Sequence, residues 1–480
     1  MKLTRRRALF YQRRTSNLYR LFALAIFILA GGWFTIRLET GAIRNPFSPT
    51  PTSTRTVNSF AAEGDAFFDA GNLNAAVDAY QQATEVDASD AQVWARLARI
   101  QTYSSRLMSN DSDRLTRLAE ALQSADQAKT LAPDDSYVLA VRAFVLDWNA
   151  DPALDPLRSG GQTANTIIFD AEQDANHALQ LDSQNPLALA FYAEILIDQQ
   201  KWTQAEQYIL QAINIGPQVM DVHRVYAAYL ESIGDYRQAI EEYQKALQIS
   251  PNLTFLYISI GQNYRTLGFR SQPGPAQNNL YQQSLVYFSK AATINNQLQI
   301  QDPLPYLAIA KTYAQEGEFF ASALNAQKAI ELDPTNADLY GQLGDIYKRG
   351  RNFETSIVAL KCAVRGCTPS ESCTARNGCP AGDSGVQVKG LTLNPNSATY
   401  YLDYGSVLSA FAPIHPEYCT EVVDVLTQLK TAYPDNTIIT RNADVGLSIC
   451  AEVRAALTQT PIPSQASTPV PQIPYYTPTP

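Results

Sequence analysis

The chain has 480 residues, of which 45% are hydrophobic and 17% are charged, and its formal net charge at pH 7 is −9. This acidic balance excludes functions that depend on overall positive charge, such as general binding to nucleic acid or to anionic lipid. The six cysteines form an even set, and the three histidines offer little for acid–base catalysis.

The first twenty residues are a basic segment, with seven Lys and Arg residues and no acidic residue. The uncharged run Leu21–Ile36 follows, and it predicts an uncleaved transmembrane signal anchor over residues 21–37. A cleaved signal peptide and a buried soluble helix are the alternatives, because sixteen apolar residues fall short of the roughly 20 that cross a bilayer. Since basic flanks stay inside the cell, the anchor predicts a single-pass cell-membrane protein with a cytoplasmic tail at residues 1–20.

Two stretches rich in Pro and Thr flank the central part of the chain, at residues 38–56 and 459–480. Pro and Thr at this density disfavour both helix and central strand. We expect a linker in the first stretch and a disordered tail in the second. A role of the tail as a proline-motif ligand is an alternative.

Between these stretches, small residues and prolines recur with a period of 34 residues. The clearest pairs are Ala205 with Ala239, Ala212 with Ala246, and Pro217 with Pro251. This period is typical of a helix–turn–helix repeat, in which small residues lie where two helices approach and proline follows the second helix. In these positions the chain resembles the tetratricopeptide repeat family from about residue 57 to residue 458.

The resemblance implies an all-α fold, an α-solenoid of about nine repeats over residues 57–458 that ends in a capping helix near residues 436–457. Extra residues inside units two, three and six predict loops on one edge, and an insertion at residues 366–394 predicts a loop on the other. Such insertions often serve binding, but tolerated drift in loop length is an equal alternative. The units are expected to begin near Val57, Ala91, Ser136, Pro186, Met220, Thr254, Pro303, Ala337 and Ala398.

In this family, the first helix of each unit lines a concave groove that holds protein or peptide partners. Mapped onto this chain, the later units present a modest basic strip, which would suit a carboxylate-bearing peptide or an acidic glycan. A solvated groove with scattered charge is the alternative. The expected groove residues are Arg224, Gln262, Arg265, Lys311, Gln342, Asp345, Lys348 and Arg349.

Four of the six cysteines lie within eighteen residues, with spacings that differ from the short pairs of zinc sites. Because the predicted topology places them outside the cytoplasm, we expect disulfides; a zinc site and a redox centre are the alternatives. We expect the clustered cysteines to pair among themselves and the remaining two to pair with each other. The clustered cysteines are Cys362, Cys367, Cys373 and Cys379, and the remaining two are Cys419 and Cys450.

The sequence contains no motif for a phosphate-binding loop, a nucleophile elbow or a zinc protease, and we interpret His177 and His223 as packing or surface residues. We therefore predict a protein that is not an enzyme, with no catalytic residues, no cofactor, no metal and no nucleic-acid partner. It would be a membrane-anchored scaffold outside the cytoplasm, serving an envelope, secretion or surface complex. The alternatives are a receptor-like module for an acidic glycan or small ligand, and a regulatory subunit of an enzyme carried by another chain.

Overall fold

A computed structural model describes residues 17–39, 56–158, 163–379 and 381–458 of the chain. The chain divides into two compact units, one up to Thr56 and one from Val57 onward. The described part of the first unit is helix α1 (Leu18–Glu39), which contains the uncharged run and has large exposed apolar side chains. No helix in the described ranges is both long and apolar enough to cross a membrane. Most of the predicted basic tail, the linker and the Pro/Thr-rich tail lie outside the described residues.

The second unit is a series of antiparallel helix hairpins, as the repeat pattern predicts. Nine such hairpins occur among the described residues, and a longer helix follows them. The predicted unit starts fall at the first residue of a helix or one residue before it. The hairpins are α2 (Val57–Asp69) with α3 (Leu73–Val86), α4 (Ala91–Ser104) with α5 (Asp111–Leu131), α6 (Ser136–Asn149) with α7 (Ala164–Leu181), α8 (Pro186–Asp198) with α9 (Trp202–Ile215), α10 (Met220–Ser232) with α11 (Tyr236–Ile249), α12 (Thr254–Arg270) with α13 (Pro275–Leu298), α14 (Leu304–Glu316) with α15 (Phe319–Leu332), α16 (Ala337–Arg349) with α17 (Phe353–Val364), and α19 (Ala398–Phe411) with α20 (Tyr418–Ala432).

Small residues at one repeat position allow the two helices of a hairpin to pack closely. A side chain at Gly344 would place its Cβ 2.6 Å from the side chain of Leu360, and one at Gly405 would place it 2.4 Å from Leu426. In other units the same position is alanine, and Ala227 and Ala310 are fully buried. Since real Cβ atoms do not approach this closely, the register of the repeat is fixed by helix packing.

The helices curl so far that distant units touch. The amide of Asn252, in the turn between units five and six, donates a hydrogen bond of 2.9 Å to the carbonyl oxygen of Asp69 in the first hairpin. Gly71 in that hairpin has φ of +82°, and a Cβ there would lie 2.2 Å from the carbonyl oxygen of Asn252. The first hairpin therefore packs against the turn between the fifth and sixth hairpins through backbone that only glycine fits.

The extra residues of units two, three and six adopt different structures. Units two and three carry short 3-10 turns, Ser105–Leu107 and Pro152–Leu157, before their second helices. In unit six the loop prediction was largely wrong, because α12 and α13 are lengthened to 17 and 24 residues. Pro275 occupies the first turn of α13, where its missing N–H costs no hydrogen bond, and the polar residues after it are compatible with helix.

The insertion after unit eight is a small stapled element rather than an irregular loop. Strand β1 (Gly366–Cys367) pairs antiparallel with β2 (Val388–Lys389), and helix α18 (Pro369–Ala375) lies between them. Disulfides join Cys362 to Cys367 and Cys373 to Cys379. A third joins Cys419 of α20 to Cys450 of the final helix α21 (Thr437–Thr458). The all-α solenoid is thus interrupted by one two-stranded ribbon.

Candidate functional site

In units two to six, the concave groove is filled by the protein's own aromatic side chains. Tyr103 is fully buried and stacks on Phe255 of unit six with ring centroids 5.1 Å apart. Its ring also lies 5.2 Å from Phe144 and 5.7 Å from Trp148, the latter edge-on. Aromatic pairs at these separations add to the apolar burial that holds neighbouring units together. This part of the groove is therefore a core, because the curl of the helices brings its two sides into contact.

Two buried ion pairs lie within the same core. Arg224 donates hydrogen bonds of 2.7 and 2.6 Å to the two carboxylate oxygens of Glu194, and Arg99 pairs with Asp221. Burial alone would lower the pKa of Arg224, but Glu194 and the surrounding acceptors raise it well above its ordinary value. Burial would likewise raise the pKa of Asp221, but Arg99 and Arg224 lower it. These two ion pairs join groove residues of units two, four and five, and removing one partner would leave a buried charge without compensation.

A third carboxylate beside these pairs forms no ion pair with a cation in the described ranges. Asp147 is 3% exposed, and its Oδ1 atom is buried with no hydrogen-bond partner. Burial, followed by repulsion from Asp198 and Glu194, raises the pKa of Asp147 well above its ordinary value. Burial and Glu194 raise the pKa of Asp198 to about 7, although that residue keeps an exposed face. The cluster therefore binds a proton more readily than ordinary carboxylates do.

The structure corrects the sequence prediction for Arg224. We placed it in an open groove, but it is 4% exposed and both of its terminal nitrogens are bound to Glu194. Its guanidinium also lies over the rings of Tyr103, Phe144 and Trp148, at 5.4 to 5.8 Å. Arg224 is thus unavailable to a partner, because the groove residues of units two, three and four close over it.

In units six and seven the groove is open and carries two adjacent cations. Arg265 donates one hydrogen bond of 3.2 Å to the carbonyl oxygen of Ala308, and Lys311 is exposed. The groove walls nevertheless desolvate the Lys311 ammonium and lower its pKa; the nearby carboxylate of Asp338 opposes this change, and the charge of Arg265 adds to it. Desolvation also lowers the pKa of Arg265. Within the described part of the chain neither cation has a carboxylate within ion-pair distance, and Gln262 lies exposed on the same helix as Arg265.

The other four predicted groove residues have partners within the protein. Lys348 pairs with Asp403, and Arg349 lies 3.8 Å from Asp345 while it donates to the carbonyl oxygen of Ala314 at 2.8 Å. Gln342 donates to the Tyr400 hydroxyl at 2.6 Å. The predicted basic strip is therefore reduced to Arg265 and Lys311, with Gln262 beside them; we call these three residues the open strip.

A cleft of about 740 Å³ lies further along, lined by residues from 109–112, 335–342 and 389–400 together with Leu157. One stretch is the end of the unit-two insertion, residues 105–112, which we call the strap. Ser109 of the strap donates to Asp333 and accepts a 3.2 Å hydrogen bond from Asn336, and Asp111 accepts one of 3.4 Å from Asn396. The strap therefore reaches from unit two to units eight and nine. We call this space the strap cleft.

The histidines lie apart from both surfaces. His223 is buried, with Nδ1 2.7 Å from a carboxylate oxygen of Glu242 and Nε2 3.0 Å from the carbonyl oxygen of Pro217. The hydrogen bond to Glu242 raises the pKa of His223. His177 and His415 are exposed and lie near Asp134 and Glu417. These contacts fit packing and surface roles.

Sequence reasoning missed the residues that fill the groove, although the repeat register places them there. Asp221 and Phe255 occupy the second position of units five and six, Glu194 the ninth of unit four and Tyr103 the thirteenth of unit two. These are groove-facing positions. Aromatic and acidic residues at these groove-facing positions could have indicated, from the sequence alone, that the groove is closed at these units.

Family models match three parts of this helix pattern. One described as "TPR repeat" matches residues 64–101, and two described as "Tetratricopeptide repeat" match residues 193–253 and 325–357. The chain contains tetratricopeptide repeats. Such repeats form a scaffold for protein–protein interaction. No curated protein matches the chain in sequence.

Solved structures show the same fold at low sequence identity. Human IFIT1 in a dimer with PPP-AAAA is 14% identical, and the match covers 85% of this chain and 92% of IFIT1 with a TM-score of 0.50. TTC0263, a TPR protein of Thermus thermophilus, is 15% identical over 43% of this chain and 98% of its own, with a TM-score of 0.35. A tetratricopeptide repeat protein of Parabacteroides merdae is 16% identical over 60% and 97%, with a TM-score of 0.33. The IFIT1 match agrees with the all-α solenoid described above.

Proposed function

We propose that this protein is a docking scaffold whose open strip binds an acidic segment of a protein partner. The observation that carries the proposal is the pair Arg265 and Lys311, which lie together in the groove without a carboxylate within ion-pair distance among the described residues. Each cation is partly desolvated by the groove walls. A partner carboxylate would offset that desolvation and form charge-assisted hydrogen bonds with the guanidinium and the ammonium.

The contrast with the earlier units supports this location. There Arg224 is buried and Arg99 is partly buried, and they are already neutralised by Glu194 and Asp221. A partner that used those cations would have to open the aromatic core around Tyr103. The open strip needs no such opening, so it is the part of the groove best suited to a peptide.

We propose further that α1 anchors the protein in a membrane, with the repeats outside the cytoplasm, although its described residues fall short of the length and hydropathy of a usual membrane-crossing helix. The uncharged run within α1 is apolar around the helix, and Phe22, Phe27 and Leu29 are 71–82% exposed. A helix of this kind normally lies in lipid or in a protein core. The basic residues before it favour the orientation in which the N-terminus stays in the cytoplasm, and disulfides suit an oxidising compartment.

The IFIT1 structures contain the ligands PPP-AAAA and m7Gppp-AAAA. We do not extend that property to this chain, because its net charge is −9 and the arginines Arg99 and Arg224 of the earlier groove are already paired with Asp221 and Glu194. The affinity purification described next would detect bound RNA, because it is carried out with and without nuclease.

The docking proposal is tested by affinity purification of the full chain from detergent-solubilised membranes, with and without nuclease. We expect a stoichiometric protein partner that is lost from the double variant R265E/K311E and retained by K290E, a charge reversal on the exposed face of the outer helix α13. A partner retained by R265E/K311E would refute the open strip. A ligand removed by nuclease would refute a protein partner.

The membrane proposal has a separate test. Protease added outside intact cells or spheroplasts should degrade the repeats and leave a short N-terminal fragment in the membrane fraction. Recovery of the full chain in the supernatant after lysis without detergent, or full protection of the repeats, would contradict it.

A further inference from the structure

Most of the residues that line the strap cleft have side chains that can form hydrogen bonds, while apolar atoms make up slightly more than half of the lining surface. Carboxylates come from Asp111 and Asp338, an ammonium from Lys389, and hydroxyl or amide groups from Thr392 and Asn396. The lining thus offers donors and acceptors over a volume of about 740 Å³, which is within the usual range for small-ligand sites. This cleft neighbours the cationic open strip, since the charge of Asp338 acts on Lys311, but its lining has a different chemical character.

The charge of the cleft argues against an anionic ligand. Its two carboxylates outnumber its one ammonium, so an added phosphate or carboxylate would meet net repulsion. Leu157 and Leu391 contribute apolar surface, but polar side chains outnumber them in the lining. A peptide in an extended conformation normally needs apolar pockets for alternate side chains. A neutral ligand with many hydroxyl groups, each able to donate and accept, matches this lining better.

The polar groups of the cleft are held in place by hydrogen bonds among lining residues and by the ribbon that carries Lys389. Asp338 accepts a 2.8 Å hydrogen bond from the hydroxyl of Tyr400, which itself accepts one of 2.6 Å from Gln342. Lys389 lies on β2 and pairs with Gly366 of β1. The next residue, Cys367, is bridged to Cys362 in the buried face of α17. Preorganised groups bind a ligand at a lower entropic cost than mobile ones.

From these observations we propose that the strap cleft binds a short neutral oligosaccharide. In this arrangement the carboxylates of Asp111 and Asp338 accept hydrogen bonds from sugar hydroxyls, and Lys389 donates to a hydroxyl or ring oxygen. The stapled insertion supplies one wall of the site, and the strap supplies the opposite wall. The proposal does not rest on the docking function, since it uses none of the three residues of the open strip.

Saturation-transfer NMR on the full chain in detergent tests this site. The probes are maltotriose, cellotriose and triacetylchitotriose as neutral sugars, with trigalacturonate and inorganic phosphate as anions, each at about 1 mM, where weak binding is detectable. We expect transfer to at least one neutral trisaccharide and to neither anion. Affinity should fall about tenfold or more in K389A and in D338N, each of which removes one charge-assisted hydrogen bond.

Two further variants keep the result interpretable. R441A removes an exposed cation on α21 that does not line the cleft, and it should bind like the wild type. T392A removes one exposed hydroxyl without touching an ion pair, so it should weaken binding even if D338N disturbs folding. Absence of transfer from all three neutral sugars, binding of an anion alone, or unchanged affinity in both K389A and T392A would overturn the proposal. Loss of the protein partner in R265E/K311E would not count against the oligosaccharide proposal.

Discussion

The side-chain amide of Asn252 donates a hydrogen bond to the main-chain carbonyl of Asp69, which lies 183 residues earlier in the chain. Around this contact, Gly71 of the first hairpin lies against the backbone of Asn252. The contact joins unit one to the turn between units five and six, so the groove between them is enclosed. The stability of the earlier repeats therefore includes long-range contacts as well as contacts between neighbours.

Substituting Gly71 by alanine should break this closure. The residue has φ of +82° and a Cβ would meet the carbonyl oxygen of Asn252 at 2.2 Å, so both backbone strain and overlap oppose the change. We expect a loss of about 1–3 kcal/mol in the free energy of unfolding and faster hydrogen exchange in units one and five. Gly317 is the matched control, since its φ is +83° but nothing lies within 4 Å of its Cβ position. Equal effects of G71A and G317A would show that the contact does not hold the units together.

His223 and Glu242 should give a pH-dependent contribution to stability. The hydrogen bond to Glu242 raises the folded pKa of His223, so its stabilisation is complete below about 6.5 and is lost as the pH rises through the folded value. Burial would raise the pKa of Glu242, but His223 and Lys245 lower it. The stabilisation that ionised Glu242 contributes is therefore lost as the pH falls below about 4.5. The free energies of unfolding of wild type and H223Q, measured by thermal unfolding, should therefore differ most between about pH 4.5 and about pH 6.5. We expect a difference of a few tenths to about 1 kcal/mol after discounting for solvent screening. A difference that grows from pH 6 to pH 9 would contradict this assignment.

Asp147→Asn should stabilise the protein at neutral and alkaline pH. Burial raises the folded pKa of Asp147, so the folded state binds its proton more tightly than the unfolded state, and stability falls as the pH rises from about 3.8 through the folded value. Asparagine removes the charge and supplies a donor for the neighbouring carboxylates. At pH 8 we expect a gain of about 1–3 kcal/mol by denaturant titration, with little difference at pH 4. D170N, an exposed substitution on α7, should show no such trend, and a D147N variant less stable than wild type at pH 8 would refute the argument.

Loss of the disulfide between Cys419 and Cys450 should free the capping helix. The bridge spans 31 residues, for which the chain-entropy model gives a contribution of about 3–4 kcal/mol. Cys450→Ser should expose the buried face of unit nine, increase hydrogen exchange in α20 and α21, and promote aggregation. The double variant C373S/C379S removes a bridge within the insertion and should leave α20 and α21 protected. Equal protection of α21 in both proteins would show that packing alone holds the cap.

The sequence was sufficient to predict the helix pairs, because the 34-residue period depends on contacts between neighbouring helices. Ala205, Ala239 and their equivalents are buried in the structure, as close helix packing requires. The curl of the solenoid was not predictable in the same way, since it results from small rotations that accumulate over many units. The burial of Arg224 depends on that curl, because the Tyr103 ring that covers it meets Phe255 only when units two and six come together. The strap cleft was missed for the same reason: Ser109 and Asn336 are 227 residues apart and no local pattern connects them.

The contact between Asn252 and Asp69 also limits how this protein can evolve. An open solenoid can gain or lose a repeat at little cost, because each repeat contacts only its neighbours. Here, inserting or deleting one repeat between units one and five would carry Asn252 away from Asp69 and Tyr103 away from Phe255. The number of repeats in that interval is therefore fixed by geometry, and duplications should be tolerated only outside it.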